Sequence, residues 1–459
     1  MKRFILIILQ LLTFVTFSQN WGKNTESAFV NEAMDIEVDA SGNSYICGYM
    51  TGETAFDVTV VEPQALGNGD IYVAKYNSSG QLTWVRRYGG SFSDRAYDLA
   101  IDSDQNIYIT GQYYGTVNFG TYTLNSTANS KDIFLLKMNP SGEVLWARSE
   151  GGSGSENAYG ITTDNLNNLI LTGQYTGSSS IGGLSLSSTI DPNLNAPAAD
   201  LFISKYTSNG DPIWVLNGQA KYEDRGLAVH TDINNNIYMT GQFSDTLVFG
   251  SQTFYNIGYN VGFLAKINPQ GSLQWLRTIR AGMVLAYDLE VDNQGDIVVV
   301  GDFIGNLQYT TPSGINTITN PYSKQIFALK TNSNGNYIWG TSLGSDNTLS
   351  ARSISTDVAR DIYITGFFSC DWTELQTNQG IFNSVGFKDA YLWKVSNSGL
   401  TTYVKQFGGK RDDEGHGVAI ANGISPIICG SYTENLNIPG GLVPYTTANN
   451  HFNLRNNVL

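Results

Sequence analysis

The sequence predicts an all-β fold, a seven-bladed β-propeller of four-stranded antiparallel blades whose ring is closed by the N-terminal strand completing the last blade. Three observations predict it. Tryptophan-led segments recur every 61 to 68 residues, at Trp21, Trp84, Trp146, Trp214, Trp275 and Trp339, and Tyr403 in YVKQFGG extends the series. A glycine ends an apolar strand in each copy: Gly48, Gly111, Gly173, Gly241, Gly301, Gly366 and Gly430. A base recurs in segments such as DIFLLKMN: Lys75, Lys137, Lys205, Lys266, Lys330, Lys394 and Arg455. Three series in one register mark a repeat architecture, which length alone would misread as several domains.

Each copy holds four strand-like runs, in the second copy AYDLAID, NIYITGQY, DIFLLKMN and VLWARSE. They are rich in β-branched and aromatic residues. The first two are joined by Asp102-Ser-Asp-Gln-Asn106, the last two by Asn139-Pro-Ser-Gly142. Asn and Asp cap their own turns and Gly supplies a positive φ. Four antiparallel strands per period make a propeller blade. The excess over a common blade length lies between the second and third strands, beginning near Tyr113, Tyr175 and Phe243. The chain opens on an orphan fourth strand at Trp21 and stops at a third strand near Arg455. The missing strand at one end is the surplus strand at the other, which closes a ring and leaves no free sheet edge.

Residues 1–18 read as a secretory signal. Lys2 and Arg3 precede a 14-residue apolar run, Phe4 to Phe17, too short to span a bilayer. Residues 19–459 are then a single propeller domain. The expected location is secreted, cell-surface or periplasmic, with no membrane span. Only 14% of residues are charged and net charge is −14. Removing residues 1–18, with two bases and no acid, leaves −16. So acidic a chain is a poor partner for nucleic acid or anionic membrane, and neither is expected. Cys47, Cys370 and Cys429 are too few for a disulfide framework. Cys47 and Cys429 share the strand slot that Thr110, Thr172, Thr240 and Thr365 fill elsewhere, and no bridge between them is expected.

DIFLLKMNPSGEVLWARSEGG and DQNIYITGQYYGTVNFG resemble the SBBP-type bacterial β-propeller repeats, over about residues 21–459. The resemblance implies the propeller and an exported protein, and says little about activity, since one propeller hosts many. Relatives often end in a type IX sorting domain; nothing after Arg455 resembles one.

Features that recur through the copies belong to the scaffold. Such are the Trp or Tyr and, in five copies, the base two residues on (Lys23, Arg86, Arg148, Arg277, Lys405), which share one strand face. The Asp102, Asp104, Asn106 turns lack the oxygens of a calcium loop and read as Asx turns. A carboxylate recurs without being universal near the start of the innermost strand: Asp94, Glu156, Asp224 and Glu414, against Asn31, Val284 and Leu349 elsewhere. The loop Lys410-Arg-Asp-Asp-Glu-Gly-His416 concentrates charge in a charge-poor chain. The candidate ligand-binding residues are therefore Asp94, Glu156, Asp224 and Glu414 with Arg411 and His416. No cofactor, metal or catalytic residue is assigned, and no H-x-x-x-H pattern is present. The expected function is a monomeric binding or scaffold protein engaging protein or glycan through the face that carries the long loops. The alternatives are a carbohydrate-active enzyme using the same carboxylates as acid and base, and a purely structural repeat.

Overall fold

The computed structural model describes residues 21–27, 31–51, 54–56, 59–61, 67–255, 260–319, 321–345, 348–369, 375–377, 380–382, 384–433, 436–438, 441–443 and 450–455. The proposed leader and Cys370 lie outside them. The protein is an all-β propeller of antiparallel sheets. Its one departure from strand and turn among the described residues is a single 3-10 turn, Thr127–Asn129.

Each blade is a meander of four strands, named below by its innermost one. In the Arg95 blade the strands are Arg95–Ile101, Ile107–Tyr114, Lys131–Met138 and Val144–Gly152. The other innermost strands are Asn31–Val38, Glu156–Thr163, Arg225–Thr231, Met283–Val291, Leu349–Thr356 and Asp413–Ala421. Each packs beside the next in chain order, and Asp413–Ala421 packs beside Asn31–Val38, so the row closes on itself. The Asp413 blade is assembled from both chain ends. Asn450–Arg455 pairs with Ser425–Tyr432 on one side and with Trp21–Ser27 on the other, Trp21 opposite Arg455.

The core lies between blades. Tyr45, Cys47, Val73 and Trp84 of one blade pack on Leu99, Ile109 and Phe134 of the next. Outer strands are joined by a repeated clamp. Trp84 Nε1 donates to Pro140 O in the neighbouring blade at 3.1 Å, Trp146 to Ser208 O at 3.2 Å, and Trp339 to Asn397 O at 2.9 Å. Gly142, at φ 80°, lies flat on the Trp84 ring, where a Cβ would come within 2.9 Å of the indole. Arg86 lies over the same ring, 5.4 Å from its centroid, and donates Nε to Gly142 O. The Trp-plus-base pattern is thus the joint between blades.

Asp102 accepts N–H bonds from Asp104 and Asn106 and holds the Tyr108 hydroxyl at 2.9 Å. Asp39, Asp232 and Asp357 make the same bonds. These carboxylates are occupied as Asx turns. The strand-three base meets them: Lys205 Nζ lies 2.7 Å from Asp164 and Lys330 Nζ 2.7 Å from Asp292.

The surplus between strands two and three folds as hairpins that cross to the preceding blade. Ser178–Ile181 with Leu184–Ser187 adds to the Arg95 blade through Gly151 opposite Ser180. Thr246–Phe249 with Gln252–Tyr255 adds to the Glu156 blade, and Leu307–Thr311 with Gly314–Ile318 to the Arg225 blade. The insertions are straps as well as loops. Cys47 and Cys429 are buried free thiols. In their slot Thr110, Thr172, Thr240 and Thr365 each donate a hydroxyl to a strand-three carbonyl.

Candidate functional site

Asp94, Glu156 and Asp224 stand where the chain enters an innermost strand, and all three are 0% exposed. Asp94 receives Gly90 N–H at 2.8 Å and Tyr114 N–H at 3.0 Å. Glu156 receives Gly152 N–H at 3.2 Å, and Asp224 receives Leu201 N–H. Each carboxylate ties the entry loop to its own blade junction. Burial pushes the Asp94 carboxyl up to about 7 and Glu156 to about 8, and raises Asp224 strongly. Each has a second buried acid nearby that adds to the rise: Asp70, Asp132 and Asp200, which open the third strand of the preceding blade. Where Val284 and Leu349 replace the junction acid, Val261 and Gln325 replace its companion. The acids are gained and lost as couples. Neither Arg95 nor Arg225 pairs with them: Arg95 lies over the Tyr49 ring at 4.3 Å, and Arg225 approaches Glu223 at 3.4 Å.

The register corrects the assignment of Glu414. Asp94 sits one residue before the Arg95–Gln112 pair, and Glu156 lies opposite Tyr175; the matching residue in the Asp413 blade is Asp413, opposite Tyr432. Asp413 is 1% exposed, receives Gly409 N–H at 2.6 Å, and is pushed up to about 8 by burial. Glu414, one residue on, turns to the opposite face, because successive strand residues alternate. It shares its register with Glu32, Arg95 and Arg225. That row carries both signs of charge.

Glu414 and His416 do come together. With Asn31, Glu32, Asp412 and Ser431 they line a cavity of about 250 Å³ at the seam between the Asp413 and Asn31 blades. Glu414 Oε1 is 2.5 Å from Lys388 Nζ. His416 lies 3.3 Å from the Ser431 hydroxyl. Burial lowers its pKa, against the pull of Glu32 and Glu414. Arg411 is exposed on the adjoining loop. No contact joins Asp94, Glu156 or Asp224 to this cavity.

A second feature was not foreseen. The lumen, about 360 Å³, is lined by Asp35, Glu37, Asp98, Asp288, Glu290 and His230 among others. The innermost strands carry a bulge just before Asp35, Asp98 and Asp288. From there Asp35 accepts Leu99 N–H at 3.1 Å, Asp98 accepts Ile161 N–H at 2.6 Å, and Asp288 accepts Ile354 N–H at 3.0 Å, each in the next blade. Asp35 and Asp98 also hydrogen-bond each other, sharing a proton, and burial drives Asp98 well above the carboxylate range. His230 lies 3.4 Å from Glu290. Among the described residues no three His, Cys, Asp or Glu side chains form a metal-holding group.

Comparison with known proteins agrees with this architecture. Residues 83–112 match the SBBP family, a β-propeller repeat. The chain is a β-propeller repeat protein. The propeller is 22% identical to an uncharacterized WD repeat-containing protein of Acanthamoeba polyphaga mimivirus, over 90% of this chain and 36% of that protein's length. The propeller thus spans little more than a third of that relative. Among solved structures it is similar to a streptogramin B lyase, with 10% identity and a TM-score of 0.44 over 95% of this chain and 98% of that one. It is also similar to a polysaccharide lyase of family PL25, an ulvan lyase, with 12% identity and a TM-score of 0.42 over 90% and 93%. These two likenesses carry no functional weight. Among the described residues of the propeller no helix is long and apolar enough to cross a membrane.

Proposed function

We propose that this protein is an exported binding module, a ring of seven blades that engages protein or glycan through the face bearing the strand-two-to-three insertions. Three residue series in one register support the blade number, and the basic, apolar start of residues 1–18 supports export. The observation that carries the binding reading is the seam cavity. Glu32, Glu414 and His416 line a concavity of about 250 Å³, beside the one loop of the chain that departs most from the repeat. A recess with a few convergent polar groups at such a junction is where a ligand site is expected.

Asp94, Glu156 and Asp224 serve this reading as positioning residues, because they fix the entry loops of their blades. Acid–base catalysis needs an acid and a base facing open space within about 5–10 Å of each other. These three carboxyls are instead 0% exposed and each accepts a backbone N–H, which favours binding over glycoside cleavage. Glycan-array and affinity-capture screening of residues 19–459, repeated with Glu414→Gln/His416→Ala, tests the proposal. A ligand captured by the wild type and lost by the variant supports it. Ligands captured equally by both place the site elsewhere.

A further inference from the structure

We infer that the cleft between the Tyr255 strap and the Asn306 strap is a subsite for an acidic saccharide, one bearing carboxylate groups. This deepens the proposed binding by the long-loop face and rests on it. The cleft encloses about 730 Å³ and is lined by Asp245, Thr246, Tyr255, Arg280, Asn306 and Gln308, with Ala281. Its walls are two neighbouring hairpins, Thr246–Phe249 with Gln252–Tyr255 and Leu307–Thr311 with Gly314–Ile318. Its floor is the end of strand Leu273–Arg280, where Arg280 pairs with Gln308.

The lining has the chemistry of a polyhydroxyl ligand. Tyr255 is 77% exposed at the rim, an aromatic face open to solvent. Aromatic rings of this kind present an apolar body and a polar tip. Asn306 and Gln308 are exposed amides, able both to donate and to accept. Protein–protein hot spots instead need a desolvated apolar centre, and here only Ala281 and the Tyr255 ring are apolar.

Charge selects the class of sugar. Asp245 is already paired with Lys221 at 3.1 Å, so Arg280 is left as the local net charge. Arg280 Nη2 donates to Tyr255 O at 3.3 Å, which holds the guanidinium at the rim of the cleft. A guanidinium held in place by a backbone carbonyl is a preoriented cation for a carboxylate. Among the described residues Arg280 is the one base of the lining, in a chain of net charge −14.

The test is calorimetric titration of the full chain with oligogalacturonate, and with a neutral malto-oligosaccharide of the same length. Oligogalacturonate should bind and the neutral sugar should not. Arg280→Gln and, separately, Tyr255→Ala should each weaken binding at least tenfold with melting temperature unchanged, and Glu143→Gln on the tight-turn face should bind as the wild type does. Equal binding of both sugars overturns the inference, as does oligogalacturonate binding that neither variant alters. If that insensitive binding is lost in Glu414→Gln/His416→Ala, the long-loop reading stands and only the cleft falls. If no saccharide binds here or on the array, the inference and the glycan half of the proposed function fall together.

Discussion

The carboxylate of Asp98 accepts the backbone N–H of Ile161 at 2.6 Å, across the boundary between two blades. Asp35 to Leu99 and Asp288 to Ile354 repeat the bond, and Ser353 Oγ accepts Val418 N–H at 3.2 Å. These bonds tie the innermost strands of neighbouring blades together. Asp98→Ala should leave a half-buried N–H unsatisfied and cost about 1–3 kcal/mol. Asp98→Asn keeps an acceptor for Ile161 and a donor for Asp35, as the protonated acid does, and should retain wild-type stability. Chemical denaturation of the two variants separates these outcomes; equal losses would remove the proton-sharing account.

Stability should fall as pH rises. Asp94 titrates near 7 in the folded ring, Glu156 and Asp413 near 8, all raised by burial above their ordinary values of 3.8, 4.5 and 3.8. A group whose folded pKa is raised keeps its proton longer in the folded state. Its stabilisation is complete below the unfolded pKa and is lost as pH climbs through the folded one. Asp164, held low chiefly by its Lys205 bond against burial, acts the other way, and only below about pH 4. The melting temperature should therefore drop between pH 5 and pH 8, and Asp94→Asn with Glu156→Gln and Asp413→Asn should flatten that slope. A melting temperature that rises over this range contradicts the assignment of these carboxyls as protonated structural groups.

The outer clamp predicts a glycine effect. At φ 80° and against the Trp84 ring, Gly142→Ala should destabilise by about 1–3 kcal/mol through backbone strain and the indole clash. Trp84→Phe should lose about 1 kcal/mol for its bond to Pro140 beyond any packing loss. In the double variant the clash term disappears, so the two losses should sum to more than the double variant shows. A double-mutant cycle by thermal unfolding reads this directly, and strict additivity would refute the contact.

Removing residues 19–27 tests the split blade. It deletes the strand that pairs Trp21 with Arg455 and Thr25 with Phe56, and exposes the edge of Asn450–Arg455. Unfolding of the whole ring should shift to lower temperature as one transition. A variant with wild-type stability would mean that the terminal strands do not support the ring.

Much of this was legible in the sequence because each copy repeats a local chemistry. The Asp102 turn, the Trp84 series and the Thr110 slot recur at fixed offsets, and each offset marks one bond. Other features were hidden by alternation. The run Asp412-Asp413-Glu414 offers three acids, and only the pairing with Tyr432 shows that Asp413, not Glu414, points into the blade. The lumen row of Asp35, Asp98 and Asp288 follows a bulge, and a bulge breaks the period of two from which facing is inferred. The straps escaped notice because their partners, such as Gly151 for Ser180, lie in the blade before, where no local pattern points.

The central claim is that the seam between the Asp413 and Asn31 blades binds a ligand. The most direct measurement is the dissociation constant of whichever glycan or protein the screens capture, for the wild type and for Glu414→Gln/His416→Ala, with melting temperature followed in parallel. The account predicts a loss of at least tenfold, about 1.4 kcal/mol, at an unchanged melting temperature. An unchanged dissociation constant with a lowered melting temperature would show that Glu414 and His416 hold the ring together and bind nothing.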